Sequence, residues 1–92
     1  MNQVVLVGRI VKQELKENEL YLTISVSKPF KNDKGEYEIN LISCLLKGAI
    51  ADNTNKFCNE NDIVGIKGCL ENKEDRLYVL AEKVTFLSSK SG

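Results

Sequence analysis

The strongest pattern in the chain is a two-residue alternation. Leu20, Leu22, Ile24 and Val26 alternate with Tyr21, Thr23, Ser25 and Ser27, which is what a strand with one buried face requires, because successive side chains of a strand point to opposite sides. Val4 to Lys12 reads as an earlier strand. Its run Val4, Val5, Leu6, Val7 is apolar on both faces, and Gly8 and Arg9 interrupt it. The polar residues Lys16, Glu17 and Asn18 turn the chain between the two. Pro29 lacks the N–H that a ladder needs, and Asn32, Asp33, Lys34 and Gly35 are turn formers, so 28–36 reads as an exposed hairpin loop. Tyr37 to Lys47 is a third strand: Ile42, Cys44 and Leu46 share one face, and Tyr37, Ile39, Leu41, Ser43, Leu45 and Lys47 share the other. That second face is unusually apolar for one left to water. Past Gly48, Ala49 to Phe57 carries Ile50, Ala51, Thr54 and Phe57 at helical spacing. Ile63 to Leu70 and Leu77 to Leu87 are two more strands, joined by a polar tip at Asn72 to Asp75.

The order strand, strand, strand, helix, strand, strand is that of the OB-fold, an all-β, five-stranded Greek-key barrel with one short helix between strands three and four. SH3-like barrels and flat sandwiches also use five or more short strands, so order alone leaves them open. The expectation is one domain over residues 1–87 followed by a short polar tail, 88–92. Apolar residues make up 42% of the chain and charged residues 28%, a balance that argues against disorder and a membrane span. No export signal is read at the N-terminus, which points to a cytoplasmic protein.

Thirteen Lys plus Arg balance thirteen Asp plus Glu, so attraction to a polyanion must come from local clustering. Cys44, Cys58 and Cys69 form no C-x-x-C pair, and there is no histidine. They read as reduced, small, apolar residues, and neither a metal nor another cofactor is expected. No nucleophile elbow or phosphate-cradling glycine loop is present, and Glu36 and Glu38 fit charge balance beside lysines better than acid–base work. No catalytic residue is assigned.

Several stretches resemble the bacterial single-stranded DNA-binding proteins and their primosomal, PriB-like branch. Met1 to Ile10 is similar to the family's first strand, and Ser27 to Glu38 to the start of its DNA-gripping hairpin. Ser43 to Gly48 is similar to the end of the third strand, Asp62 to Leu70 to the fourth and Tyr78 to Leu87 to the fifth. The likeness covers nearly the whole chain in order. It implies an OB-fold that binds single-stranded DNA without catalysis, in replication, recombination or repair, as a homo-oligomeric dimer or tetramer whose first strands pair. Replication or primosome proteins are further partners it implies.

The resemblance also locates three stacking positions, occupied here by Phe30, Leu41 and Lys47. Two of the three lack a ring. Base–aromatic stacking is worth on the order of 1–3 kcal/mol per base, so the loss of two weakens binding by roughly two to four powers of ten. The loop between the first two strands is short, and the chain ends without the family's long acidic tail. Around Phe30, Lys28, Lys31 and Lys34 supply cations. Tyr37, Leu41 and Lys47 share the outward face of the third strand, where Leu41 and Leu45 have a second possible use as a subunit contact. Arg9, Lys12, Lys67, Lys73 and Arg76 extend a phosphate track, and Tyr78 adds a ring; Tyr21 and Tyr78 either stack or sit half-buried with the hydroxyl in water. The alternative reading is a primosome-type adaptor on the same scaffold, with weak or no single-strand binding.

Overall fold

The computed structural model describes residues 1–88; the rest of the expected tail, 89–92, lies outside the described residues. Five strands and one helix follow the expected order: β1 (Val4–Lys16), β2 (Glu19–Lys31), β3 (Tyr37–Lys47), α1 (Gly48–Phe57), β4 (Ile63–Lys73) and β5 (Arg76–Ser88). They close into a barrel in the order β1-β2-β3-β5-β4. All neighbours are antiparallel except β3 and β5, which run parallel through Cys44↔Val79 and Leu45↔Leu80. This is the OB-fold barrel.

Closure depends on β1 serving two partners. Val4 to Arg9 pairs with β4, from Gly68 back to Ile63, and Arg9 to Lys16 pairs with β2, from Ser25 back to Glu19. The register shifts between Ile10 and Lys12, so Val11 is an extra residue that bends and twists the strand as it changes neighbour. At the handover the Ile10 N–H donates to Asp62 O (2.9 Å) and the Asn61 N–H donates to Ile10 O (2.7 Å). The segment after α1 is thereby stitched to the bend.

The inward face of each strand builds one core: Ile10 from β1, Leu20, Leu22 and Ile24 from β2, Cys44 and Leu46 from β3, Val64 and Ile66 from β4, Val79 from β5. The helix α1 packs against β2, β3 and β5 and contributes Ala51 to this core. Cys44 and Cys58 are buried and Cys69 half-buried, all three as free thiols. Burial pushes the Cys44 thiol up to about 12, and burial followed by the neighbouring Asp62 raises Cys58, which keeps both uncharged and inert.

The strands run further than hydrophobic periodicity indicates. β1 continues four residues past Lys12, β4 reaches Lys73, and the two hairpins close through the two-residue turns Glu17-Asn18 and Glu74-Asp75. All four turn residues have positive φ, the mark of the type I′ turn whose twist matches that of the flanking strands. The expected loop over 28–36 is corrected to a turn over 32–36, because β2 carries on to Lys31. Pro29 is tolerated there since it falls within the register shift between Ser27 and Lys31, where a missing donor breaks no ladder bond.

Beyond the core, Lys73 at the end of β4 clamps the β4–β5 hairpin to the start of β2. Its Nζ donates to Glu19 Oε1 (2.7 Å) and to the Tyr21 hydroxyl oxygen (2.8 Å). The hydrogen bond from Lys73 holds the Glu19 carboxyl below its usual 4.5, and the same bond raises the Lys73 ammonium above its ordinary value.

Two predictions concern this frame. A Cβ built on Gly68 would overlap the Leu80 carbonyl oxygen, whereas one on Gly65 meets nothing nearer than Leu87 Cδ1 at 3.6 Å. Gly68→Ala is therefore expected to cost about 1–3 kcal/mol in urea unfolding, by overpacking, and Gly65→Ala markedly less; equal midpoints for the two would contradict the close approach. The lowered Glu19 value means that its share of stability is present above pH 4.5 and is lost as pH falls through the folded-state value. Melting temperatures followed from pH 6 downward should drop further for the native chain than for Glu19→Gln.

Candidate nucleic-acid interface

The register places the outward side chains of β1, β2 and β3 in rows. Arg9, Ser25 and Leu41 form one row, Lys12, Thr23 and Ser43 the next, then Glu14, Tyr21 and Leu45, then Lys16, Glu19 and Lys47. Along β1 this face carries Arg9, Lys12 and Lys16 with Glu14 among them, and Tyr21, Leu41 and Leu45 are its aromatic and apolar members. An OB barrel presents this surface of strands two and three, with its flanking loops, to oligonucleotides.

The face continues onto a projecting arm. Beyond the barrel, Ser27 pairs with Ile39 and Lys31 with Tyr37, which extends the row of outward residues on β3 to Tyr37, Ile39 and Leu41, all exposed. Asn32 shapes the tip: its Oδ1 accepts from the Lys34 N–H (2.9 Å) and the Glu36 N–H (3.0 Å), and Gly35 supplies the positive φ. Phe30 is 81% exposed, so a large ring stands in water on a hairpin that carries Lys28, Lys31 and Lys34. Lys31 Nζ lies 5.7 Å from the Tyr37 ring centroid, near enough for a cation–π contact. Lys28 Nζ is bound to Glu38 Oε1 at 3.2 Å, and this hydrogen bond lowers the Glu38 carboxyl.

At the other end of the face, between the β1–β2 and β4–β5 hairpins, lies a cleft of about 420 Å³. Lys12, Arg76 and Tyr78 line it, as do Tyr21, offered from sequence as a ring that stacks or sits half-buried, and Lys16, read there only as a turn residue. The two tyrosine rings meet edge to face, 5.8 Å between centroids and 67° between planes.

The proposed residues thus fall into three groups. Phe30, Lys31, Lys34, Tyr37 and Leu41 lie on the arm and the face that continues it, with Arg9 and Lys12 across the sheet and Arg76 and Tyr78 at the cleft. Arg9 Nη1 donates to Asn61 O at 2.7 Å, which fixes the guanidinium and leaves its charge in place. Lys28, Lys47 and Lys73 are held by carboxylates of this chain, Lys47 Nζ lying 3.8 Å from Glu19 Oε2. Lys67 stands apart on β4, between Val5 of β1 and Lys83 of β5. The second use considered for Leu45, as a subunit contact, is corrected: it is 2% exposed, flanked by Tyr21 and by Leu80 of the parallel β5. Leu41 is 62% exposed.

No family model matches the chain. Among curated proteins it is 36% identical over 105 residues to single-stranded DNA-binding protein 3 of Listeria innocua, a match covering 98% of this chain and 66% of that one. It is 35% identical over 104 residues to single-stranded DNA-binding protein B of Bacillus subtilis, covering 97% of this chain and 92% of that one. The chain therefore spans just under two thirds of the first relative and nearly all of the second. Among solved structures, the protein priB from Ralstonia solanacearum superposes with a TM-score of 0.77 at 16% identity, over 95% of this chain and 99% of that one. A small single-stranded DNA-binding protein from Mycoplasma pneumoniae gives 0.76 at 17%, over 91% of each chain. At such identities the structures bear on the fold alone, which they share with this barrel. The sequence match to the Bacillus subtilis protein runs almost end to end over both chains, and on that ground this chain belongs to the bacterial single-stranded DNA-binding protein family.

Proposed function

We propose that the chain binds single-stranded DNA, largely without regard to sequence and without catalysis, in replication, recombination or repair. The observation that carries this is an exposed ring, Phe30, on the lysine-bearing arm, beside an outward row that runs from Lys31 and Tyr37 through Leu41 and Arg9 to Lys12 at the barrel. Single strands are held by cations that follow the phosphates and by flat groups that take the bases; the arm supplies two rings, Phe30 and Tyr37, and Lys31, Arg9 and Lys12 supply the cations. Its contacts are to the π-face and the backbone, which every nucleotide has, so little sequence preference follows. The names of the curated relatives support the same ligand.

Self-association through β1 completes the proposal. Val5 is 70% exposed and Val7 57%, on the segment of β1 that pairs with β4 alone. An exposed apolar strand with an unpaired edge invites a second copy. Among the described residues no helix is long and apolar enough to cross a membrane. The free thiols suit a reducing compartment, in line with a cytoplasmic role.

Titration of a fluorescently labelled oligothymidine at two salt concentrations tests the reading. Affinity should fall as salt rises, because phosphate contacts release counterions, and Phe30→Ala should weaken binding by about 1–3 kcal/mol, the worth of one stacked base. Binding that ignores both salt and the loss of the ring would overturn it.

A further inference from the structure

We infer that Glu38 is a positioning residue of the arm: with Asn32 it holds the bulge that presents Phe30, so that this anion favours the binding of a single strand. The inference rests on the single-strand reading above and adds to it what keeps the ring in place.

The arm has no core of its own. Over 27–40 no residue is buried, and only Lys28 and Asn32 are half-buried. Apolar packing therefore gives the arm little order, and the ladder between its strands is interrupted where the ring stands. Ser27 pairs with Ile39 and Lys31 with Tyr37, so three residues of β2, Lys28, Pro29 and Phe30, lie opposite one residue of β3, Glu38. Such an excess leaves residues out of the ladder and re-aims their side chains, and here it turns Phe30 into water. Pro29 fixes its own φ, but no ladder bond fixes the residue that follows it.

Polar contacts take over that task, and they converge on the residue opposite the bulge. Lys28, the first residue of the bulge, donates from Nζ to Glu38 Oε1 at 3.2 Å. Lys28, by its hydrogen bond and its charge, and then a hydrogen bond from the Asn32 side chain hold the Glu38 carboxyl below its usual value. Asn32 follows the bulge and closes the tip. Its Oδ1 accepts from the Lys34 and Glu36 N–H groups, its own N–H donates to Glu36 O (2.7 Å), and the Gly35 N–H donates to Asn32 O (3.0 Å). Glu38 thus grips the chain on both sides of Phe30, and the two half-buried residues of the arm are the two that meet its carboxylate. A ring already held in its bound position loses less freedom when a base arrives.

Charge alone gives the opposite expectation. A carboxylate on an arm offered to phosphates opposes them, and its removal frees Lys28, so electrostatics predicts tighter binding without it. Glu38→Ala and Glu38→Gln remove the same charge, but only Gln keeps an oxygen to accept from Lys28 and Asn32. In titrations of a labelled oligothymidine at low salt, Glu38→Ala should bind roughly 2- to 13-fold more weakly than Glu38→Gln, the worth of ordering one side chain. The gap should close in the Phe30→Ala background, because residues that act through one another are not additive. Asn32→Ala, which changes no charge, should lower affinity in the same range. Unfolding midpoints shared by these variants place the loss in the arm, which lies outside the core. Equal affinity in Glu38→Ala and Glu38→Gln, a gap undiminished without the ring, or native affinity in Asn32→Ala overturns the positioning role and leaves the single-strand reading intact. Absence of binding by the native chain at low salt overturns that reading, and the positioning role with it.

Discussion

The structure depends on the division of β1 between two neighbours. A five-stranded sheet closes only if one strand bends enough to pair with β4 along its first half and β2 along its second, and the extra residue at Val11 supplies that bend. Close approach of backbones is part of the same requirement. A Cβ on Gly8 would overlap Ser25 O, and one on Gly68 would overlap Leu80 O. The bend also decides which side chains face outward together. Arg9 precedes the extra residue and Lys12 follows it, yet both look away from the core, because the insertion shifts the alternation by one place. The cationic edge of the proposed binding face is therefore a product of the barrel's closure.

Hydrophobic alternation made β2 and β3 legible, and with them the core residues Leu20, Leu22, Ile24, Cys44 and Leu46, because alternation is a direct image of one-sided burial. The ends of β1 and β4 are not visible in that way. Gln13 to Lys16 carries one apolar residue, and the strand continues there because backbone pairing and a two-residue turn hold it, with little burial to mark the sequence. Leu45 shows the complementary failure. Its parity is outward, and it is covered because β5 arrives beside β3 from far along the chain, a fact that local pattern does not contain.

The site divides along the same line. The arm was readable because its residues are neighbours in sequence: a ring, three lysines and turn formers between Lys28 and Gly35. Lys73 reads equally well as a phosphate ligand, yet its partner Glu19 is 54 residues away, and only the fold shows the ammonium committed. Lys16 looked like turn polarity and proved to be a wall of the cleft, and Tyr21, read as a ring that stacks or sits half-buried, is another wall of it. Their meeting was invisible for one reason: the two hairpins that create the cleft are brought together by closure of the barrel.

A chain with no net charge can attract a polyanion only if its anions are removed from the binding face or neutralised on it. Here three of them are neutralised on it. Glu14 is matched by Lys16, Glu19 by Lys73 and Lys47, and Glu38 by Lys28. These pairs are partly exposed, so each contributes little to stability, but they offset the negative charge that Glu14, Glu19 and Glu38 would otherwise turn toward a phosphate along the sheet. Arg9, Lys12, Lys31, Lys34 and Arg76 have no such pair among the described residues and remain as uncompensated cations of the proposed face. The lysines tied to carboxylates are better understood as shaping the potential of the face than as ligands in their own right. The number of phosphates the proposed face can neutralise is accordingly smaller than the number of lysines and arginines on the surface, and it is this smaller number that would set the steepness with which salt displaces a strand.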